Sequence, residues 1–360
     1  MPNKKIAQSK NQLTSQIQIA ITSNILDEQK SAKDLKKSLV FGQKWQKIIQ
    51  TSFGHSSLTL NCQKDSQIIN QLRMNEVKSC LFGKALISIP YINHGGFITN
   101  LYSLEAIKEL EDFLLTNKYD YLEIRSRNNH LDPVEELTCK KHKVTFILDL
   151  LKNSEDLFNS FNKKLRSQIR RPQKSGANAK TFLGKEITPE IINSFYQVFA
   201  EHMRDLGTPV YGKQFFTDVF SEFSEESLIS LVYLNQKIVS ASYTIITENT
   251  AEIIWAASLN KYRKASVNML LYWASMERLC ALGIEQFDFG RCDPDSGGYK
   301  FKKQWGGKEK QLYWYYLSPN GKIPNASPKN KKFSLAISIW KKLPLRISNW
   351  LGPIISRHTP

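Results

Sequence analysis

Three consecutive strand patterns in the last third of the chain restrict the possible folds most. The segments SLISLVYL, KIVSASYTIITE and TAEIIWAASL, between residues 227 and 259, carry the β-branched and apolar residues typical of strands. The short turns NQ and ENT join them as antiparallel hairpins. A helical pattern, SVNMLLYWASMERLCALG, comes next, and the strand pattern IEQFDFG follows it. This order predicts an α+β (mixed α/β) domain, with a ligand site where the strands and the helix separate.

The first half of the chain has a similar mixture of elements. SLEAIKELEDFLLTNKY places its leucines and Ile107 on one helical face, behind Ser103 as the N-cap. The strand patterns around it are SQIQIAITS, SLTLNC, SQIINQLRMNEV, KALISIPYI, DYLEIRS and KVTFILDL. Two helical patterns follow, SEDLFNSFNKKLRSQIRRPQKSG, which we expect Pro172 to interrupt, and PEIINSFYQVFAEHMRDLG. The predicted parts are a disordered basic N-terminus (1–14), two domains (15–150 and 151–318) and a basic amphipathic tail (319–360).

The net charge of +17 is concentrated in two zones. Residues 300–360 contain thirteen Lys or Arg and one acid, Glu309, and residues 157–185 contain eight basic residues and no acid. Two such zones beside one cleft would attract a polyanion: RNA phosphates, a nucleotide, a lipid pyrophosphate or an anionic membrane. The alternative is that they are solvated faces that keep the protein soluble.

The tail NKKFSLAISIWKKLPLRISNWLGPIIS combines apolar residues at helical spacing with basic ones. Phe333, Ala336, Ile337 and Trp340 follow an i, i+3, i+4, i+7 pattern, and a second apolar group follows Pro344. This composition is typical of an interfacial helix pair on an anionic membrane, which makes residues 333–360 a candidate for peripheral contact. Packing of the tail on the protein's own surface is the alternative.

Several classes of protein do not fit the sequence. No apolar run approaches the roughly 20 residues that span a bilayer, and the start MPNKKIAQSKNQ has no apolar core of a secretion signal. We therefore expect a cytoplasmic protein. Its five cysteines are scattered and never spaced as CxxC, so we expect neither a disulfide framework nor a metal site. No Ser-His-Asp, Cys-His or Walker pattern is present.

Five ordered phrases between about Trp45 and Tyr316 resemble one protein family. They are EVKSCLFGKALISIPYINHGG, LRSQIRRPQKSG, VFAEHMRDLGTPVYGKQFF, AASLNKYRKASVNMLLYW and FDFGRCDPDSGGYKFKKQWG. Together they resemble the FemAB-like branch of the GNAT acyltransferases, in particular FemAB-type proteins associated with exosortase and PEP-CTERM exopolysaccharide systems. The resemblance implies tandem GNAT-like domains with central, largely antiparallel sheets flanked by helices.

The resemblance also implies a reaction. An acyl or aminoacyl group would pass from acyl-CoA or aminoacyl-tRNA to an amine on a cell-envelope or exopolysaccharide precursor, with no cofactor besides the donor. One loop departs from the family, because RKASVN stands where members that use acetyl-CoA carry a glycine-rich pyrophosphate loop. Arg263, Ser266 and Asn268 are the donor-binding candidates there, with Ser266 expected to cap the following helix.

Three residues are the candidate catalytic groups. The FK of Phe301 and Lys302 matches the family's active cleft, where a lysine can contact the donor's phosphate or carbonyl oxygen; a solvated lysine is the alternative. Arg291 follows a strand end and could pair with a carboxylate or phosphate, or could instead bridge to Asp288 or Asp293. Asp205, before LGTP, is a polar candidate near the cleft.

The remaining candidates would bind the donor or the substrate. They are Arg166 and Arg170, one helical turn apart, and the group Gly297, Gly298 and Tyr299, in which the glycine pair suggests a tight turn. His202 shares a helix face with Phe195 and Phe199, so we interpret it as a half-buried structural residue. Two other functions stay open: a non-catalytic RNA- or tRNA-binding protein on a decayed transferase fold, and a membrane-surface adaptor in polysaccharide assembly.

Overall fold

A computed structural model describes residues 18–22, 33–64, 67–93, 104–129, 131–132, 134–323 and 333–359. Two features expected from the sequence lie outside these residues: the disordered terminus 1–14 and the Ser103 cap.

The described part of the chain contains twelve strands, which form one mixed sheet in the order β1-β2-β3-β4-β5-β12-β6-β11-β10-β9-β8-β7. The strands are β1 (Gln18–Thr22), β2 (Ser57–Lys64), β3 (Gln67–Ser79), β4 (Gly83–Ile87), β5 (Tyr121–Ser126), β6 (Thr138–Asp149), β7 (Asn178–Leu183), β8 (Ser227–Leu234), β9 (Lys237–Thr247), β10 (Thr250–Ser258), β11 (Gln286–Asp288) and β12 (Lys308–Leu317). Neighbouring strands are antiparallel except for β4 with β5 and β10 with β11. The predicted fold class, a largely antiparallel sheet flanked by helices, is confirmed.

Strand β12 joins the two halves of the sheet. It pairs with β5 on one side and with β6 on the other, although both precede it by more than 150 residues. Strand β6 also pairs with β11, so the sheet runs without a break across residue 150. The division into units at residue 150 stays a prediction.

Helices cover both faces of the sheet. They are α1 (Lys33–Phe53), α2 (Leu104–Thr116), α3 (Ser154–Ser160), α4 (Lys163–Lys174), α5 (Pro189–Leu206), α6 (Lys213–Glu222), α7 (Val267–Ala281), α8 (Gly297–Lys303), α9 (Ser334–Trp340) and α10 (Leu345–Ser356). Residues of α1, α5 and α6 form one apolar core, to which β8 contributes Ile229 and Leu231. Residues of α3, α4 and α7 form another, to which β8 contributes Leu228 and Val232 from its opposite face.

Two predicted elements differ from the structure. The helical pattern after residue 153 breaks at Phe161 and Asn162, and not at Pro172, because the Asn162 side chain accepts a 2.9 Å hydrogen bond from the Leu165 amide and starts a new helix. Pro172 lies within the last turn of α4. Strand β4 ends at Ile87, earlier than predicted, because Ile89 and Tyr91 adopt positive φ and leave the extended conformation.

The tail forms two helices separated at Pro344, as the sequence predicts. Both pack on the protein's own surface. The Arg357 guanidinium donates to the Phe53 carbonyl at 2.8 Å, and Trp340 is buried. No helix among the described residues has the length and apolarity needed to cross a bilayer.

Candidate active site

Strands β10 and β11 separate after three paired residues, and this separation creates the site. Their parallel pairing ends at Glu252 and Asp288, whereas β10 continues along β9 to Ser258. The chain leaves β11 at Gly290, whose φ is +69°. A Cβ at Gly290 would lie 2.5 Å from the Ile253 carbonyl oxygen, so only glycine allows this turn. A cavity of about 480 Å³ opens beyond it.

Gly290→Ala should therefore destabilise the protein by about 2 kcal/mol, through a left-handed backbone cost of about 1 kcal/mol and the close contact with Ile253. Urea unfolding would measure the change. Gly283→Ala is the matched control, because Gly283 also has positive φ (+73°) but its Cβ would meet nothing within 4 Å. Equal losses for both variants would contradict the contact with Ile253.

Lys302 lines this cavity and is 9% exposed. Its Nζ donates to the carbonyl oxygens of Gly290 at 2.7 Å and Arg291 at 2.9 Å. Burial lowers the pKa of Lys302 to about 8. An ammonium group has three N–H donors, and the described residues take two of them. One donor is therefore left for a molecule in the cavity, and the solvated alternative is wrong.

Arg291 also lines the cavity, and its guanidinium makes no ion pair with a described residue. It donates to the Ile92 carbonyl at 3.4 Å and lies 5.6 Å from the centroid of the Trp314 ring. The alternative of a bridge to an aspartate is wrong, because Asp288 binds Arg127 and Asp293 binds Lys143. Burial, and then Arg125, lower the pKa of Arg291. Such a cation can bind a carboxylate or phosphate group.

A buried ionic cluster, which the sequence did not reveal, holds the Gly290 turn. The Arg127 guanidinium binds Asp288 at 2.6 Å and Glu252 at 3.0 Å. Asp288 accepts hydrogen bonds from the Thr145 hydroxyl and, at 2.8 Å, from the Gly290 amide. Burial, and then Glu252, raise the pKa of Asp288, while Arg127 opposes that rise. The only available signal was an acidic residue inside each of two apolar strand patterns, AEIIW and QFDFG.

Asp205 was expected at the cavity and lies outside its lining, whereas His202 was expected to be structural and lies in the lining. Asp205 pairs with Arg204 at 2.8 Å and does not line the cavity, whereas His202 does. His202 Nδ1 lies 3.1 Å from the Ser258 carbonyl oxygen, so Nδ1 carries the proton and Nε2 is an acceptor when the ring is neutral. Burial lowers the pKa of His202 and keeps the ring neutral at pH 7.

The other candidate residues, apart from Gly298, lie outside the cavity lining. Arg170 is exposed over the Phe158 ring, and Arg166 is half-buried on the same helix. Arg263 is exposed, and Asn268 is half-buried in the first turn of α7. Ser266 has φ of +56° and its side chain makes no cap hydrogen bond, so the predicted cap is wrong.

The glycine pair begins a helix. Gly297 and Gly298 are the first residues of α8, and the Ser296 side chain caps it by accepting from the Tyr299 amide at 3.0 Å. The predicted tight turn at the pair is therefore wrong, and Gly290 makes the turn. Gly298 lines the cavity, while the Tyr299 hydroxyl donates to Glu309 at 2.7 Å. The structure thus brings Lys302, Arg291 and Gly298 together.

No metal-binding group of three or more His, Cys, Asp or Glu occurs in the described ranges.

Part of the second half of the chain matches a known protein family. Residues 159–303 match the family described as acetyltransferase (GNAT) domain. Curated protein sequences give no match.

Several solved structures share the fold. FemX is 14% identical, with 80% of this chain and 97% of that chain covered at a TM-score of 0.56. A tandem GNAT protein from the clavulanic acid biosynthesis pathway is 7% identical (84% and 99% covered, TM-score 0.51). The C-terminal domain of a putative lysylphosphatidylglycerol synthetase from Agrobacterium fabrum is 11% identical (79% and 92% covered, TM-score 0.51). At these identities the similarity establishes a common fold.

Proposed function

Because the chain has the FemAB-like tandem GNAT fold, with an acetyltransferase (GNAT) domain over residues 159–303, we propose that it transfers an acyl or aminoacyl group to an amine. The observation that carries this proposal is the position of Lys302, inside the matched region and with one N–H donor left for the cavity. Acyl transfer to an amine requires a group that stabilises the developing oxyanion, a base for the amine proton, and correct positioning of both substrates.

The cavity residues can divide these tasks. Lys302 donates its third N–H to the acyl carbonyl oxygen, where its charge stabilises the oxyanion. His202, through Nε2, accepts the proton that the amine loses, since its Nδ1 is held by Ser258. The bond from the acyl carbon to the donor breaks as the amide bond forms, and the donor leaves as a CoA thiol or a tRNA ribose hydroxyl that takes up this proton. Arg291 binds an anionic group of one substrate, because the described residues give it no carboxylate partner.

The donor is acyl-CoA or aminoacyl-tRNA, and we favour the tRNA. Helix α4 has five exposed basic side chains and no acid, which supports contact with a long polyanion. These residues are Lys163, Lys164, Arg170, Arg171 and Lys174. At the start of α7, Ser266 occupies a left-handed position that would suit the glycine of a pyrophosphate loop, and this weakens the case for CoA.

The acceptor that we propose is an amine on a cell-envelope or exopolysaccharide precursor, met in the cytoplasm or at the inner face of the cytoplasmic membrane. Among the proteins of similar fold, one is named as the C-terminal domain of a putative lysylphosphatidylglycerol synthetase, and this name supports an envelope molecule as the acceptor but not the choice of an amine.

The donor can be tested with the purified full-length protein. We expect aminoacyl-tRNA to bind with a steep salt dependence and to transfer its labelled aminoacyl group to an amine acceptor, and we expect acetyl-CoA to bind at least about tenfold more weakly. Filter binding and mass spectrometry of copurified molecules would measure this. Uncharged tRNA is the control, because it shows how much of the binding depends on the ester-linked aminoacyl group. RNA binding without product, across a panel of amine acceptors, would favour the non-catalytic alternative.

A further inference from the structure

Helix α10 has its small residues inside and its large apolar residues outside. Ser348, Gly352 and Ser356, four residues apart, are buried against the protein. A Cβ on Gly352 would lie 2.8 Å from the Val210 carbonyl oxygen, so this face is in close contact with the loop after α5. On the opposite face Trp350 is 69% exposed and Ile354 is 51% exposed. A helix that packs on a soluble domain normally has the reverse arrangement.

Helix α9 also has exposed apolar side chains. Leu335 and Ile339 are exposed, while Trp340 anchors the helix in the protein. We call the exposed apolar side chains of the two helices the tail face; its members are Leu335, Ile339, Ile347, Trp350, Ile354 and Ile355. Six exposed large apolar residues on two consecutive helices indicate a binding site.

The charged residues of the tail itself have one sign. Lys341, Lys342 and Arg346 are exposed between the two helices, and residues 333–360 contain no acidic residue. A protein partner for such a surface would need an unusually acidic apolar face. An anionic bilayer offers both parts, phosphates for the cations and acyl chains for tryptophan and isoleucine.

The tail face is held in a fixed position beside the cavity. The Arg204 guanidinium donates to the Leu343 carbonyl at 3.0 Å, between α9 and α10. A Cβ at Gly207 would lie 2.5 Å from Ile337 and 3.1 Å from Lys341, so α9 contacts the end of α5. The neighbouring Leu206 lines the cavity and is 53% exposed. The rim of the cavity therefore lies next to helix α9.

We propose that the tail face is a docking surface for an anionic lipid bilayer, and that it places the rim of the cavity next to the lipid headgroups. Both helices lie along the bilayer surface, since neither is long enough to cross it. This proposal does not depend on the transferase reaction, because it concerns only where the protein is held.

Tryptophan fluorescence offers a direct test with the full-length protein. Trp350 is 69% exposed, whereas the other six of the seven tryptophans are at most 9% exposed. Vesicles of phosphatidylglycerol and phosphatidylcholine that contain brominated acyl chains should therefore quench Trp350 selectively. We expect quenching and vesicle cosedimentation at low salt, with weaker binding to pure phosphatidylcholine. Binding without quenching, or no binding, would overturn the proposal.

Two pairs of substitutions separate the contribution of the apolar tail face to vesicle binding from the contribution of the nearby positive charges. Trp350→Ser with Ile354→Ser should lower vesicle partitioning roughly tenfold or more, and Lys341→Gln with Lys342→Gln should lower it only on anionic vesicles. Leu282→Ser is the matched control, because Leu282 is 40% exposed at the end of α7, on the other side of the sheet. Equal partitioning of the serine pair and this control would refute the docking surface, as would a dimer in solution that only the serine pair dissociates.

Discussion

Lys302→Met is expected to lower the rate of acyl transfer about 10²- to 10³-fold while the protein stays folded. Removing one group that stabilises an oxyanion typically costs this much, because the developing charge then lies in a cavity without its cation. Methionine keeps most of the side-chain volume, and the loss of two hydrogen bonds to carbonyls is offset by removal of a buried charge. Single-turnover transfer and thermal unfolding would measure both effects.

Lys303→Met is the matched control, because Lys303 is the exposed neighbour on the same short helix and should change the rate less than about twofold. The wild-type rate should fall as pH rises through about 8, where Lys302 loses its proton. Lys302→Arg should move that fall to higher pH, since arginine stays charged. A wild-type rate that instead rises through pH 8, and no longer does so in Lys302→Arg, would mean that the neutral amine acts as a base.

The same pKa predicts a linked effect on stability. The pKa of Lys302 is lower in the folded protein than in the unfolded chain, so the unfolded chain binds more protons between about pH 8 and the usual lysine pKa. Folding therefore becomes more favourable as pH rises through that window. This contribution should be absent from Lys302→Met. The pH dependence of the unfolding free energy, compared between the wild type and this variant, therefore tests independently whether the pKa of Lys302 is lowered.

Local sequence patterns were sufficient for most of the second half of the fold. The meander β8 to β10 has the predicted hairpins, and Asn235 and Gln236 both take the positive φ that a two-residue turn requires. Strand β12 was missed, although LYWYYL is rich in aromatic residues suited to a strand. Its neighbours β5 and β6 are far away in sequence, and no local pattern encodes a pairing at that distance.

The site was only partly predictable for a similar reason. Lys302 and Arg291 stand in a phrase that resembles a known family, so they could be identified from sequence. Arg127 could not, because its partners Asp288 and Glu252 come together only when β10, β11 and the chain after β5 meet. In the tail, periodicity predicted two helices but not which face is buried, since close packing selected the small residues at Ser348 and Gly352.

Arg127→Leu is expected to destabilise the protein by about 3 kcal/mol at neutral pH. Asp288 is fully buried and Glu252 nearly so, and without Arg127 both carboxylates lose their shared cation. We take the lower end of the usual range because the Arg127 side chain is 31% exposed. Urea unfolding would measure the loss. Lys141→Leu is the matched control, since Lys141 pairs with Asp132 at the surface and its loss should cost much less stability than that of Arg127.

Two further measurements identify the buried carboxylate as the cause. The pKa of Asp288 is already raised by burial and by Glu252, and removal of Arg127 takes away the group that opposes this rise. The folded variant therefore binds more protons than the unfolded chain above the ordinary aspartate pKa, so its stability falls as pH rises and the deficit should shrink at pH 5. Asp288→Asn added to Arg127→Leu should recover part of the loss, because it removes the buried charge of Asp288. A deficit that is independent of pH and unchanged by Asp288→Asn would show that Arg127 stabilises the fold through packing, and not through the buried ion pairs.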